Sequence, residues 1–337
     1  MTIRRALPAL LVVLLALGLA ACGERQEATG GGRAQRLDLV LDFVPNADHA
    51  GIYYAIGRGQ FKRAGLSVRP RTPSDPSAPL KLLATGHADL AISYEPELLL
   101  ARAKGAKLVS IGALVQRPLT SIISIGSKAV RAPGQLEDKK VGTAGIAYQD
   151  AYLTTIVDRA GIDPERVHAI DIGFSFIRAL ETKKVDATLG AFWNVEGVDL
   201  ARHGKHPRIL RVDQLGVPTY DELVIVAREQ DVRRRGPLLR RFMRALALSH
   251  QALRDDVAGA VDELVRANPE LDRGLQRAQV QATLPVFLPR DRRRPFGYQD
   301  PVAWRRYTQW MLDNDLLATS LRADRAFTNE FLPGEGI

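Results

Sequence analysis

Cysteine is nearly missing. Cys22 is the only one in 337 residues, which excludes an internal disulfide and any cysteine-rich metal centre. Histidine is thin too, six in all, and His49, His87 and His168 are too dispersed to suggest a metal triad. Neither a Ser-His-Asp pattern nor a phosphate-binding loop occurs. Past the N-terminus there is no second membrane-length apolar run, no heptad series and no internal repeat. These gaps argue against metal-dependent, hydrolytic or phosphoryl-transfer catalysis.

The N-terminus has what the rest lacks. Arg4 and Arg5 precede an apolar run from Ala6 to Ala21, interrupted only by Pro8 and Gly18, and Cys22 follows. This reads as a secretion signal. Leu19-Ala20-Ala21-Cys22 resembles the bacterial lipobox, which implies cleavage before Cys22 and a diacylglycerol on its thiol. Residues 1–21 are therefore expected to be a lipoprotein signal peptide, and residues 22–36, GERQEATGGGRAQR after the cysteine, a lipid-bearing flexible tether. The protein would sit in the cell envelope, lipid-anchored and facing the extracytoplasmic side.

The formal charge is +9, and +7 once the signal peptide with Arg4 and Arg5 is gone. RRRGPLLRRFMR (233–244) and RDRRR (290–294) carry much of it, so a nucleic-acid surface has to be weighed. The first run reads instead as an amphipathic helix, with Leu238, Leu239, Phe242, Met243, Leu246 and Leu248 inward and its arginines solvated. Export also argues against nucleic acid. A basic face near anionic lipid would gain about 1 kcal/mol per charge.

About 300 residues follow the tether, more than one core usually holds, so two lobes are expected. Strands are predicted at 37–43, 66–70, 89–93, 107–114, 121–125, 140–144, 167–172, 187–192, 209–213 and 222–227. Helices are predicted at 48–58, 77–85, 95–104, 149–160, 174–182, 195–203, 237–254, 257–267, 274–283, 300–314 and 320–331. The alternation argues for α/β architecture with parallel sheets. The last hundred residues lack strands, so their helices should pack on a lobe already formed. Segments 121–125 and 222–227 bracket a compact block and read as paired hinge crossings, dividing the chain into lobe 1 (37–122 plus 226–337) and lobe 2 (123–225) around a cleft.

The richest stretch is LVLDFVPNADHAGIYYAIGRGQF, residues 39–61. A strand ends at Pro45, Asp48 is placed to cap the next helix, and Asn46 and His49 would flank its positive end. Ligands in open α/β sheets bind beyond the carboxyl ends of strands; the competing reading of Asn46 is a simple turn residue. Four more loops follow predicted strands, bringing Tyr94, then Tyr148 with Gln149 and Asp150, then Phe174, and then Trp193 with Asn194 and Glu196. Asp42, Gln149, Asn194 and Tyr220 are secondary candidates, Tyr220 with a hinge role as the alternative. Rings give affinity without selectivity and edge hydrogen bonds choose the substrate. A flat, polar heterocycle suits this set. An aminopyrimidine pairs with a carboxyl at Glu196 when the couple shares one proton, and stacking on Trp193 would make Trp193→Ala cost at least about 1 kcal/mol.

DFVPNADHAGIYYAIGRGQF, SDPSAPLKLLATGHADLAISYEPELLLA, GAFWNVEG and LGVPTYDEL closely resemble the ThiY-like solute-binding lipoproteins of ABC importers, relatives of the fungal thiamine-pyrimidine synthases and of the SsuA superfamily, over Leu37 to Ala227. The resemblance implies a type II periplasmic-binding-protein fold with two lobes, two hinge crossings and a helical C-terminal extension. It implies a monomer that holds a thiamine pyrimidine precursor, such as a formylaminopyrimidine or hydroxymethylpyrimidine, without a cofactor, and delivers it to a permease with its ATPase subunits. The implied contacts are Phe43 with Asn46 and His49, Tyr94, and Trp193 with Glu196. Phe43 stands where many relatives have Trp. Riboflavin is the alternative cargo. A synthase role lacks the family's cysteine-rich iron motif.

Overall fold

The computed structural model describes residues 34–289, 291, 293–318 and 321–334. The expected signal peptide and lipidated Cys22 lie outside the described residues, as does most of the tether. Residues Ala34–Ile337 form one compact unit. The tether was expected to reach Arg36, but β1 (Gln35–Val40) already starts inside it, because Gln35 N–H is held by Gly65 O at 2.8 Å.

Ten strands are found among the described residues, close to the predicted ranges. After β1 come β2 (Leu66–Arg71), β3 (Leu90–Ser93), β4 (Leu108–Val115), β5 (Thr120–Ser124), β6 (Lys140–Thr143), β7 (His168–Asp171), β8 (Ala187–Phe192), β9 (Arg208–Arg211) and β10 (Leu223–Arg228). They build two five-stranded sheets, ordered β2-β1-β3-β10-β4 and β7-β6-β8-β5-β9. β1 runs parallel to β2 and β3, and β6 to β7 and β8. β10 is antiparallel in the first sheet and β5 in the second. Each antiparallel strand is the one by which the chain enters its sheet from the other lobe. The segments read as crossings, 121–125 and 222–227, are thus interior strands, and the linking residues are the stretches just before them, 116–119 and 212–222.

Helices cover the sheets: α1 (Ala50–Gly57), α2 (Gln60–Arg63), α3 (Ala78–Ala84), α4 (Glu95–Ala103), α5 (Ala147–Arg159), α6 (Phe176–Glu181), α7 (Glu196–Arg202), α8 (Glu229–Arg234), α9 (Gly236–Asp255), α10 (Val257–Ala267), α11 (Arg273–Phe287) and α12 (Pro301–Asp313). Asp48 does not cap α1. Asn46 caps a short 3-10 turn, Ala47–His49, that precedes it. On α9 the predicted inward face is buried except Leu248, which is 47 % exposed. At about 100° per residue, Leu248 lies some 200° round the helix from buried Leu246. Arg240 and Arg244 are solvated as expected.

The predicted helix at 320–331, whose first residue lies outside the described residues, does not form beyond a 3-10 turn at Ala323–Arg325. The segment instead runs beside edge strand β4. Ser110 N–H donates to Ala326 O and Thr328 N–H to Ser110 O, both at 2.8 Å. Covering an open sheet edge satisfies backbone groups that a local helix would leave bare. The C-terminal helices also reach the second sheet's layer. Gln279 Nε2 on α11 donates to Val195 O at 2.9 Å, and Tyr307 on α12 meets the Tyr152 hydroxyl of α5 at 2.5 Å.

Burial sets the response to pH. Glu97, Glu196, Asp221 and Glu222 are all pushed up to about 7 by burial. Such groups bind protons more tightly folded than unfolded, so their contribution is present below about pH 4 and lost as pH rises through about 7. His250 runs the other way: burial lowers it to about 4, and its contribution is lost as pH falls from about 6.5. With four carboxyls opposing one imidazole, the urea midpoint of residues 34–337 should be higher at about pH 5.5 than at about pH 8. A midpoint that rises with pH across that window would overturn this balance.

Candidate ligand-binding site

Loops at the carboxyl ends of β1, β2, β3, β6, β7 and β8 meet between the two sheets. They border about 400 Å³ of unfilled space that includes open solvent, lined by Phe43, Asn46, Pro76, Tyr94, Ala144, Ile146, Tyr148, Gln149, Phe174, Phe176, Gly190, Phe192, Val195 and Glu196. Phe43 from the first lobe meets Phe174 from the second edge to face, with ring centroids 4.3 Å apart. Tyr94 faces Tyr148 at 6.0 Å and Phe192 at 6.5 Å. A flat guest would exchange these ring contacts for contacts with itself.

Asn46 is both a turn residue and a lining residue. Its Oδ1 accepts Asp48 N–H at 2.8 Å, and Nδ2 donates to Val44 O at 3.1 Å, leaving one amide hydrogen. Gln149 Oε1 accepts Ala144 N–H at 2.7 Å, and its NH2 faces the Tyr148 hydroxyl in the wall. That amide lies over Gly190, where a Cβ would come within 2.5 Å of Nε2 and where φ is +117°. Only glycine suits both the conformation and the closeness.

Glu196 opens α7 and is 8 % exposed. Burial pushes its carboxyl up to about 7 against the pull of Phe192 N–H, which donates to Oε2 at 2.7 Å. Among the described residues it is the only acidic side chain lining the cavity, and no Lys or Arg lines the space. The cavity can therefore host a neutral or weakly basic ring and offers nothing to neutralise an anion.

Several predicted residues fall elsewhere. His49 is fully buried behind the wall: its Nδ1 accepts Asn46 N–H at 3.2 Å, so Nε2–H donates to Asp42 Oδ1 at 2.9 Å. Tyr94 O–H donates to the other oxygen of Asp42 at 3.1 Å. Asp42 and His49 thus orient Tyr94 rather than line the cavity. Asp150 is exposed. Trp193 points out of the cleft, with Nε1–H donating to Pro118 O at 3.2 Å and the Arg211 guanidinium 5.1 Å from its ring. Phe192 takes the place in the wall that the sequence had given to Trp193. Successive side chains at a strand end point to opposite faces, so one of the two had to turn away. Asn194 is buried between the lobes, and Tyr220 sits at the hinge with its O–H donating to Glu222 at 3.0 Å. Of the wall residues not named, Ile146 and Phe176 lie two positions from Tyr148 and Phe174, whereas Pro76 comes from the loop after β2, which the sequence reading did not single out.

A family model described as NMT1/THI5 like matches residues 46–259, a span holding every lining residue but Phe43. The chain belongs to the NMT1/THI5-like family. Among relatives, it is 31 % identical over 320 residues to the formylaminopyrimidine-binding protein of Halalkalibacterium halodurans, covering 94 % of this chain and 97 % of that one. It is 23 % identical over 284 residues to the 4-amino-5-hydroxymethyl-2-methylpyrimidine phosphate synthase THI11 of Saccharomyces cerevisiae, covering 80 % and 83 %. The alkanesulfonate-binding protein SsuA from Xanthomonas axonopodis pv. citri superposes with a TM-score of 0.69 at 18 % identity, covering 88 % of this chain and 99 % of that one. This NMT1/THI5-like chain has the two-lobed fold of periplasmic binding proteins.

Proposed function

We propose that this protein is an extracytoplasmic solute-binding lipoprotein of an ABC importer. It would hold a thiamine pyrimidine precursor, a formylaminopyrimidine or hydroxymethylpyrimidine, in the aromatic cleft and pass it to the permease. The observation that carries the reading is the cavity's make-up: rings from both lobes, one carboxyl poised to keep a proton, and no cationic side chain. An aminopyrimidine presents an exocyclic N–H beside a ring nitrogen, and a protonated Glu196 complements both. The likeness to the formylaminopyrimidine-binding relative supports it. A sulfonate would call for a cationic partner, and among the described residues no Lys or Arg lines this cavity. Binding is favoured over synthesis because, among the described residues, no histidine lines the cavity, and His49, behind its wall, is committed to Asp42. The lipobox-like Leu19-Ala20-Ala21-Cys22 supports a lipid anchor at Cys22, and the linking stretches 116–119 and 212–222 support a division into two lobes there rather than at 122 and 226.

Isothermal titration of residues 34–337 with formylaminopyrimidine, hydroxymethylpyrimidine and riboflavin in parallel tests the reading. Micromolar or tighter binding of a pyrimidine alone is expected; riboflavin alone would make the cargo a flavin, and silence from all three would reject both. In the same assay Phe192→Ala should weaken pyrimidine binding at least about fivefold, the equivalent of about 1 kcal/mol. Trp193→Ala should leave affinity nearly unchanged. The reverse order would put Trp193 back in the cleft.

A further inference from the structure

Asp48 and Asn194 come from opposite lobes and meet in the buried interior: Asn194 Nδ2 donates to Asp48 Oδ1 at 2.6 Å and to Thr283 Oγ1 at 2.7 Å. Thr283 has one hydroxyl proton, and Gln279 O at 2.8 Å is a closer acceptor for it than Asp48 Oδ1 at 3.4 Å. Thr283 is therefore the acceptor toward Asn194, which fixes the amide with its nitrogen on that side. Two buried oxygens are then left without a partner, Asp48 Oδ2 and Asn194 Oδ1. Both belong to groups already joined by a short bond, and an unpaired buried acceptor is expensive.

We infer that Asp48 is a neutral carboxylic acid whose Oδ2–H donates to Asn194 Oδ1, closing a two-bond acid–amide ring that latches the lobes shut. A single proton satisfies both orphaned oxygens. The surroundings favour it. Asp48 is 1 % exposed, and its carboxyl is held well above the usual range, first by burial and then by the negative charge of Asp42, with Glu196 and Glu222 adding to it. His49, next in sequence, is turned to Asp42. The charges of α10 and the start of α11 are engaged elsewhere: Glu263 with Arg58 and Arg266, and Asp262 with Arg273. Arg277 is exposed. The latch stands outside the cavity lining, so it needs no particular cargo. Losing the proton would place an uncompensated carboxylate against an amide oxygen, and the lobes would separate.

Residues 34–337 contain no cysteine, so Lys62→Cys and Lys184→Cys, both exposed and in different lobes, can carry a donor–acceptor dye pair. Ligand-free transfer efficiency is read from about pH 6 to about pH 10, where fully buried carboxyls lose their protons. On the unsubstituted latch it should fall as pH rises. Asp48→Asn restores two bonds as an amide–amide ring without a proton, and should lose most of that decline while staying closed. Asp48→Ala should be open throughout. Should Asp48→Ala fail to fold, Asn194→Ala serves for the same comparison. An Asp48→Asn protein that opens with pH as the parent does, or an alanine variant as closed as the parent, overturns the latch. None of these readouts uses a ligand, so failure of the pyrimidine reading would leave them unaffected.

Discussion

Glu222→Ala should destabilise residues 34–337 by roughly 3 to 5 kcal/mol, because it strands several buried donors at about 1 to 3 kcal/mol each. Glu222 is fully buried. Its Oε2 accepts Leu119 N–H at 2.6 Å, Thr120 N–H at 2.8 Å and Tyr220 O–H at 3.0 Å, and its Oε1 accepts Thr120 Oγ1–H at 2.9 Å. Leu119 and Thr120 stand where the chain leaves the first lobe, and Tyr220 and Glu222 where it returns. One carboxyl therefore ties both crossings together. Glu222→Gln keeps an amide oxygen for the Oε2 donors and offers Thr120 Oγ1 an N–H, so it should cost less than about 1.5 kcal/mol. Urea unfolding at neutral pH measures both. An alanine variant within about 1 kcal/mol of the parent would mean that water reaches these donors and the carboxyl is not the tie.

The strands were legible because they are short β-branched or alternating runs, most of them closed within a few residues by Gly, Pro or Asp, and that local chemistry survives tertiary packing. The loops around the cavity were legible except the one after β2, which brings Pro76. Phe43, Asn46, Tyr94, Tyr148, Phe174 and Glu196, with Gln149, do line one cavity. Within a loop the choice failed, as with Trp193 and Phe192, because a strand end decides which of two adjacent rings faces inward and the sequence does not mark that end to the residue. The Asp48 error has a different origin. A cap is a local contest, and Asn46 won it, freeing Asp48 for a partner 146 residues away. The 320–331 segment was misread for a related reason: its hydrogen bonds go to Ser110, on a distant edge strand. Pairings of that range leave no trace in a single sequence.

The Glu196 carboxyl should make pyrimidine binding depend on pH in a way that one substitution removes. An acid–aminopyrimidine couple contains a single shared proton. With the carboxyl pushed up to about 7 by burial, binding above that pH must take up a proton, and affinity should fall by as much as tenfold per unit on the alkaline side. In acid the ring nitrogen acquires its own proton, the pair then holds one too many, and affinity should fall again. Glu196→Gln presents a fixed N–H donor beside a carbonyl acceptor, the same pattern with no titrating proton, so it should bind comparably near neutrality and lose the alkaline decline. Glu196→Ala removes both partners of a buried edge and should cost about 1 to 3 kcal/mol, roughly 5- to 150-fold in Kd. Titration of the three proteins from about pH 5 to about pH 9 reads all of this at once. A flat profile for the parent would remove the proton from the couple, and a glutamine variant that declines in alkali as the parent does would assign the titration to another group, with Asp48 the first to examine.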